Sequence, residues 1–154
     1  MPNSNKTGPD QFVYAVSVEE IKPVEKELIK LYNREIFEKQ VYLEQSRKFE
    51  GVIIETLKIL IEQEEKHTLF LRILLSKINV NVPGHYTENI FSNLNEPISK
   101  IIKQDIEYEK LAILEYNNAI KKASPNLKLI LEHIMHEELF HIKKLQDYLA
   151  EHSL

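Results

Sequence analysis

Apolar residues recur in steps of three and four along four long segments of the chain. In the second and fourth segments, for example, the apolar stripes run over positions 53–74 and 127–149. This spacing places the apolar side chains on one face of a helix, so each segment is predicted to be an amphipathic helix. The first predicted helix begins near residue 17, and the others cover about 51–77, 97–122 and 124–150.

Residues typical of helix starts and turns mark the ends of these segments. Ser17 and Glu20 have the spacing of a capping box at the first start. Ser124 followed by Pro125 fits the start of the last helix, with serine as the cap and proline in the first position. Gly51 indicates a turn between the first two helices.

The connections between the helices predict the fold. A stretch over 79–97, "NVNVPGHYTENIFSNLNEP", breaks the pattern and is predicted to be a long crossover with room for one short helix. The other two connections are short. Two helix hairpins joined by one long crossover predict an all-α, ferritin-like four-helix bundle. We assign this bundle to residues 17–154 and an N-terminal tail to residues 1–16.

The two hairpins are related by an internal repeat over 17–77 and 91–150. When the chain is shifted by 74 residues, most positions match only as apolar for apolar, but several polar residues coincide in type. We interpret the shift as an internal duplication. The coinciding polar pairs are Glu35 with Glu109, Tyr42 with Tyr116, Glu64 with Glu138, and His67 with His141.

The register of the hairpins predicts that four glutamates meet at one level. The separation between Glu35 and Glu64 is 29 residues, and the same separation holds for Glu109 and Glu138. Each pair is centred on its predicted turn, so its two members lie at equal height in an antiparallel hairpin. A histidine follows the second glutamate of each pair by three residues, one helical turn later on the same face.

A buried cluster of this kind needs cations. Four carboxylates at one level inside a bundle are very costly unless their charge is balanced, and two divalent ions balance it. The chain contains no cysteine, which excludes disulfides, thiolate zinc sites and iron–sulfur clusters. Oxygen and imidazole ligands without sulfur favour iron or manganese.

At this point the chain resembles the ferritin-like di-iron carboxylate superfamily, in particular its rubrerythrin-type and bacterioferritin-type domains. Two glutamates and two Glu-x-x-His pairs from four helices form the metal centre of that superfamily. The resemblance spans roughly residues 18–150. It depends on four segments, "REIFEKQVY" (34–42), "QEEKH" (63–67), "YEKLAILEY" (108–116) and "HEELFH" (136–141).

The resemblance implies a role for each residue. Glu64 and Glu138 would bridge two metal ions, while Tyr42 and Tyr116 would hydrogen-bond the ligand carboxylates. Gln63 and Glu137 occupy the positions that orient the opposite histidines in bacterioferritin-like sites. The implied metal ligands are Glu35, Glu64, His67, Glu109, Glu138 and His141.

The chain also departs from the pattern of the families that it resembles. Rubrerythrins carry an extra inward glutamate on the third helix, where this chain has Ala112. Glu38 holds the mirrored position on the first helix, so we assign it a catalytic role together with the two tyrosines. Only 13 residues follow His141, which leaves little room for the fifth helix of cage-forming ferritins. The cysteine-rich tail of typical rubrerythrins and the haem methionine of bacterioferritins are missing as well.

These features predict a di-iron oxidoreductase, with manganese as an alternative metal, that reacts with hydrogen peroxide or dioxygen. Its electrons would come from an external donor, such as a rubredoxin-like protein. The alternatives are a ferroxidase that stores or delivers iron, an oxygenase for an organic substrate, and a metal-free bundle. For the residues themselves, the alternatives are a solvent-facing glutamate, a hydrogen-bonded core histidine, an ordinary core tyrosine and, for Glu38, a glutamate paired with lysine at the edge of the core.

Charge and hydropathy limit the kinds of partner that we expect the chain to bind. The net charge is −4 with both signs interspersed and no basic block, so we expect no nucleic-acid partner. The sequence has neither a signal-peptide pattern nor an apolar run of membrane-spanning length. We therefore expect a cytoplasmic protein without a membrane partner, and the resemblance implies a homodimer.

Overall fold

The computed structural model describes residues 13–85 and 94–152, which are predominantly helical. Its four long helices confirm the predicted all-α bundle of two hairpins. Residues 86–93 of the crossover lie outside the described residues, and the described crossover residues on either side form no helix. The elements are α1 (Val18–Ile21), a 3-10 turn (Lys22–Val24), α2 (Glu25–Lys48), α3 (Ile53–Lys77), α4 (Ile98–Lys122) and α5 (Pro125–His152).

The first predicted helix is interrupted near its start. Ser17 and Glu20 form the predicted capping box, in which the Glu20 amide donates to Ser17 Oγ and the Ser17 amide donates to Glu20 Oε2. Pro23 then lies in the 3-10 turn that separates α1 from α2. Proline has no amide hydrogen and a fixed φ, so it cannot continue the α-helical hydrogen-bond ladder at this point.

The bundle begins before residue 17. Most of the predicted tail lies outside the described residues, but residues 13–16 pack on the core. Val13 and Val16 are 0% and 2% exposed, respectively. The Lys77 ammonium donates hydrogen bonds of 2.6 Å to the carbonyl of Val13 and 2.8 Å to that of Val16. Residues 13–16 of the predicted tail therefore pack against the bundle.

Short turns close both hairpins at the predicted places. Gly51, between α2 and α3, has a φ of +88°, a conformation that glycine adopts at little cost. Between α4 and α5, Ser124 Oγ accepts a hydrogen bond from the Leu127 amide, and Pro125 is the first helical residue. The two turns place the arms of each hairpin in the register that the glutamate spacing requires.

Helix α2 packs against α3 and α4, and α5 packs against α4 and α3, so the four helices form a closed square. Two apolar clusters fill the interior of the bundle, one toward each end. One contains Leu31, Leu71 and Leu127, and the other contains Leu57 and Leu145. A polar layer separates them. Within 13–85 and 94–152, no helix is long and apolar enough to cross a membrane.

Candidate metal centre

Six side chains of the polar layer are completely buried. Each long helix contributes one glutamate from its inward face, and α3 and α5 each add a histidine one turn later. The structure therefore brings together all six predicted ligands. All six have an exposed fraction of 0%, and they are Glu35, Glu64, His67, Glu109, Glu138 and His141.

The six residues form two overlapping groups, in each of which the candidate ligand atoms lie within 4.8 Å of one another. Glu35 and His67 belong to one group, while Glu109 and His141 belong to the other. Glu64 and Glu138 belong to both groups, which is the arrangement expected of bridging carboxylates. The cluster can thus hold two metal ions side by side.

The two histidines point the same ring nitrogen at the carboxylates. His67 Nδ1 lies 2.9 Å from Glu138 Oε1 and 3.4 Å from Glu35 Oε2. His141 Nδ1 lies 3.0 Å from Glu64 Oε1 and 3.2 Å from Glu109 Oε1. The centroids of the two rings are 6.0 Å apart. The centre therefore has the near two-fold symmetry that the repeat predicts.

The outer nitrogen of each histidine meets an acceptor. His67 Nε2 lies 3.1 Å from Glu137 Oε1, and His141 Nε2 lies 2.6 Å from Gln63 Oε1. Both oxygens accept hydrogen bonds, so Nε2 is the donor in each contact, and Nδ1 is the nitrogen that would bind a cation after losing any proton it carries. The two partners differ in charge, so the two halves of the centre are not equivalent.

Both predicted tyrosines donate hydrogen bonds between hairpins. The Tyr42 hydroxyl of α2 donates to Glu109 Oε1 of α4 over 2.6 Å. In the reverse direction, the Tyr116 hydroxyl of α4 donates to Glu35 Oε1 of α2. Each tyrosine thereby fixes the orientation of one outer carboxylate, as the resemblance implies.

The shared glutamates lack independent donors. Among the described residues, Glu64 and Glu138 contact the Nδ1 atoms of the two histidines and the neighbouring glutamate carboxyls, but no amide or hydroxyl donor is recorded for them. Buried carboxyls that face one another are costly, and two divalent cations would satisfy them. The donor set of carboxylate oxygens and imidazole nitrogens therefore fits a pair of iron or manganese ions.

The pKa values of the buried glutamates reflect the same crowding of negative charge. Burial and the nearby Glu35 raise the pKa of Glu64 well above its ordinary value. Burial and Glu109 do the same for the pKa of Glu138. Burial also opposes the ionisation of Glu35, but the charge of His67, together with hydrogen bonds to Glu64, His67 and Tyr116, outweighs burial and lowers the pKa of Glu35 to about 2. Without cations, the centre thus retains protons that metal binding would displace.

Glu38 is a fifth buried carboxylate, one turn after Glu35 on α2. It is 1% exposed, and neither of its oxygens meets a nitrogen or hydroxyl donor in the described part of the chain. Burial, followed by the charges of Glu109 and Glu35, raises its pKa well above the ordinary range. The mirrored Ala112 is buried and apolar. Glu38 therefore adds a titratable carboxyl group on one side of the centre only.

Two further contacts near the centre were not predicted from the sequence. Gln45 Nε2 donates to Asp105 Oδ1 over 2.8 Å inside the bundle. His133, which is partly exposed, places its Nε2 3.1 Å from Glu137 Oε1. The signals for both were weak: Asp105 lies one turn before Glu109, and His133 lies one turn before Glu137.

The sequence profile of the family described as Rubrerythrin matches residues 18–149, most of the chain and all of the centre. The chain belongs to the rubrerythrin family. No curated protein is similar enough in sequence to count as a relative. Family membership and the buried cluster together support a di-iron carboxylate protein.

Two solved structures share the fold of this rubrerythrin-family protein. One is a ferritin-like, diiron-carboxylate protein from Bacillus anthracis str. Ames, with 18% identity and a TM-score of 0.66 over 80% of this chain and 96% of that one. The other is a dodecameric thioferritin, the bacterioferritin-related protein from Bacteroides fragilis. It has 21% identity and a TM-score of 0.63 over 88% of this chain and 94% of that one.

Proposed function

We propose that the protein is a di-iron or mixed iron–manganese oxidoreductase that reduces hydrogen peroxide or dioxygen. The chemistry that a bound metal pair supplies is the donation of two electrons to the oxidant. The chain itself contains no cysteine and so has no iron–sulfur or rubredoxin-type centre to refill the pair. The electrons therefore come from an external donor, such as a rubredoxin-like protein.

The proposed ligands divide into a shared and an outer set. Glu64 and Glu138 would be shared by the two metal ions, because only they belong to both groups of ligand atoms in the described chain. The outer ligands are Glu35 with His67 and Glu109 with His141. Four ionised carboxylates and two neutral imidazoles balance two divalent cations, which supports a resting state with both metals reduced.

The burial of a fifth glutamate, Glu38, is the observation that best supports a redox function. The four other buried glutamates already balance two divalent ions, so a fifth is superfluous for holding them. The positive charge of the centre rises when the metals are oxidised, and a nearby carboxylate stabilises that state. Glu38 is buried, and no nitrogen or hydroxyl donor is recorded for its oxygens within the described residues. Burial and the nearby charges of Glu109 and Glu35 raise its pKa, so its charge is sensitive to the charge of the centre, which supports this role.

Tyr42 and Tyr116 hold the outer carboxylates in place. Burial, followed by the charge of Glu109, raises the pKa of Tyr42 well above its ordinary value. Burial and Glu35 raise the pKa of Tyr116 in the same way. Both hydroxyls therefore stay protonated and remain donors while the charge of the centre changes.

Rapid mixing tests the proposed reaction. The protein is loaded anaerobically with Fe(II), the bound iron is counted, and hydrogen peroxide or oxygenated buffer is added in a stopped-flow spectrometer. We expect about two Fe(II) per chain and a rapid absorbance change with at least one oxidant. A Glu64→Gln variant, which lacks a bridging ligand, serves as the control and should show little change. Loaded protein that is inert to both oxidants would contradict the proposal.

A second candidate function is iron oxidation followed by storage or delivery. It is favoured by the similarity to a thioferritin that is described as dodecameric. Light scattering combined with iron counting separates the two functions. About two irons per chain in a small assembly, such as the expected homodimer, supports the oxidoreductase. Many irons per chain in a large shell supports storage.

A further inference from the structure

Gln45 and Asp105 form a polar pair inside one apolar end of the bundle. Each side chain is 1% exposed, and Gln45 Nε2 donates to Asp105 Oδ1. In the described chain, Asp105 Oδ2 and Gln45 Oε1 have no hydrogen-bond partner. An ionised aspartate with a single donor is expensive to bury, whereas a protonated one is much less so.

The surroundings of this pair favour the protonated form. The apolar cluster at this end includes Leu57 of α3 and Leu145 of α5. The titratable groups that interact with Asp105 are Glu109 of its own helix and Tyr42 of α2, and Tyr148 of α5 belongs to the apolar cluster at the same end. Burial raises the pKa of Asp105 well above its ordinary value; the Gln45 donor opposes the rise and Glu109 adds to it.

The pair exists at only one end of the duplicated bundle. The shift of 74 residues that relates the hairpins places Gln45 on Ala119 and Leu31 on Asp105. Ala119 and Leu31 are both buried and apolar. A polar pair is thus not required for packing at this level, because the equivalent level at the other end is filled by apolar side chains.

The location of the pair connects it to the metal centre. Asp105 lies one turn before Glu109 on α4, and Gln45 lies one turn after Tyr42 on α2. The pair therefore sits directly behind the hydrogen bond from Tyr42 to Glu109. An acid one helical turn away from a proposed ligand responds to the charge of bound metals without binding them.

We propose that Asp105 holds a proton while the metal pair is reduced and releases it when the pair is oxidised. The inference rests on the proposed function, because it requires a redox-active pair at the centre. When two one-electron acceptors oxidise the pair, two electrons leave the metals. One proton leaves Asp105 for the solvent, and the resulting carboxylate offsets one of the two added positive charges. Reduction reverses both transfers. With hydrogen peroxide as oxidant, Asp105 supplies one of the two protons needed to form two waters, and solvent supplies the other.

Infrared difference spectroscopy tests this directly. The Fe(II)-loaded protein is oxidised with ferricyanide, a one-electron acceptor that does not depend on peroxide chemistry. We expect a carbonyl stretch of protonated Asp105 in the reduced protein, distinct from that of any other protonated acid such as Glu38, and its loss on oxidation. Asp105→Asn should lack this signal in both states. Asp147→Asn, which alters an exposed aspartate paired with Lys143, should keep it.

Each other outcome counts against the inference. A signal that persists on oxidation, that is absent from the reduced protein, or that survives in Asp105→Asn overturns it. If Asp105→Asn fails to fold, Asp105→Leu, with the residue found at the mirrored position 31, takes its place. Iron is counted first in every sample. Protein that binds no iron overturns the proposed function, and this inference falls with it. Protein with two irons and an unchanged signal overturns only the role of Asp105.

Discussion

Tyr42 of α2 donates its hydroxyl to Glu109 of α4 over 2.6 Å, so the two hairpins are joined by a hydrogen bond at the level of the metal centre. Tyr116 and Glu35 repeat this connection in the opposite direction. In both cases the acceptor is a buried outer carboxylate. The same two bonds therefore hold the hairpins together and orient the proposed ligands.

Removal of one of these hydroxyls should destabilise the bundle without unfolding it. A hydrogen bond to a charged group contributes about 1.5–3 kcal/mol, so Tyr42→Phe should lower the free energy of unfolding by about that amount. Urea unfolding of the metal-free protein measures the change. Tyr14→Phe, at a side chain that is 71% exposed, should change the stability by no more than about 0.5 kcal/mol. Equal stability of the two variants would mean that the bond to Glu109 is not formed in solution.

Replacement of Glu38 should separate metal binding from reactivity. Glu38→Gln keeps all six proposed ligands, so we expect about two irons per chain, as in the unaltered protein. The reaction with peroxide or dioxygen should slow by about 10- to 100-fold, because the amide adds no negative charge to the oxidised centre. Stopped-flow absorbance measures the rate. Glu65→Gln, at an exposed glutamate of the neighbouring helix, should react at the normal rate. A normal rate in Glu38→Gln as well would remove its catalytic role.

The side chains that accept hydrogen bonds from Nε2 of His67 and His141 should set the metal affinity of each half of the centre. Glu137→Gln replaces the charged acceptor of His67 Nε2 with an amide, the type of partner that Gln63 provides for His141. We expect metal binding in the His67 half to weaken by about 10- to 100-fold. Titration with Co(II) against a competing chelator measures both affinities. Glu132→Gln, which alters a glutamate on the same helix that pairs with Lys128, should bind normally. Identical curves for the two variants would show that Glu137 does not tune its histidine.

The helices and the centre were predictable from sequence because each depends on local pattern. Periodic stripes and caps placed the ends of the long helices within a few residues. In each hairpin the two glutamates lie at equal distances from the turn. This spacing predicted that they converge, since the register of an antiparallel hairpin follows from its turn. A buried glutamate in the middle of an apolar stripe is also a conspicuous signal.

Other features depend on contacts between distant parts of the chain. The packing of Val13 and Val16 requires Lys77, more than 60 residues away, to cap their carbonyls. Gln45 and Asp105 belong to residue types that are usually exposed, and a small rotation of either helix would have turned them to solvent. Periodicity does not specify a helix rotation that closely. The interruption at Pro23 is a similar case, because proline is compatible with the first turn of a helix as well as with a break.

Removal of the metals should make stability depend on pH in the neutral range. Burial and Glu35 raise the pKa of Glu64 well above its ordinary value in the folded state. Burial opposes the charge of His67, but Glu35 and Glu137 outweigh it and raise its pKa to about 9. A group with a raised folded pKa contributes stability that is present below its unfolded pKa and lost as the pH rises through the folded one. Glu35, with a pKa lowered to about 2, loses its contribution only in acid.

The metal-free protein should therefore become less stable as the pH rises from about 6.5, the ordinary pKa of histidine, to about 9, the pKa of His67 in the folded state. Metal binding requires deprotonated ligands, so the Fe(II)-loaded protein should become more stable over the same range. Melting curves recorded anaerobically by circular dichroism, with and without a chelator, measure both trends. Because the two samples share every surface charge, a difference in the sign of the slope must arise at the buried centre. Parallel slopes would mean that the six side chains do not exchange protons for metal, and the centre as proposed would not exist in solution.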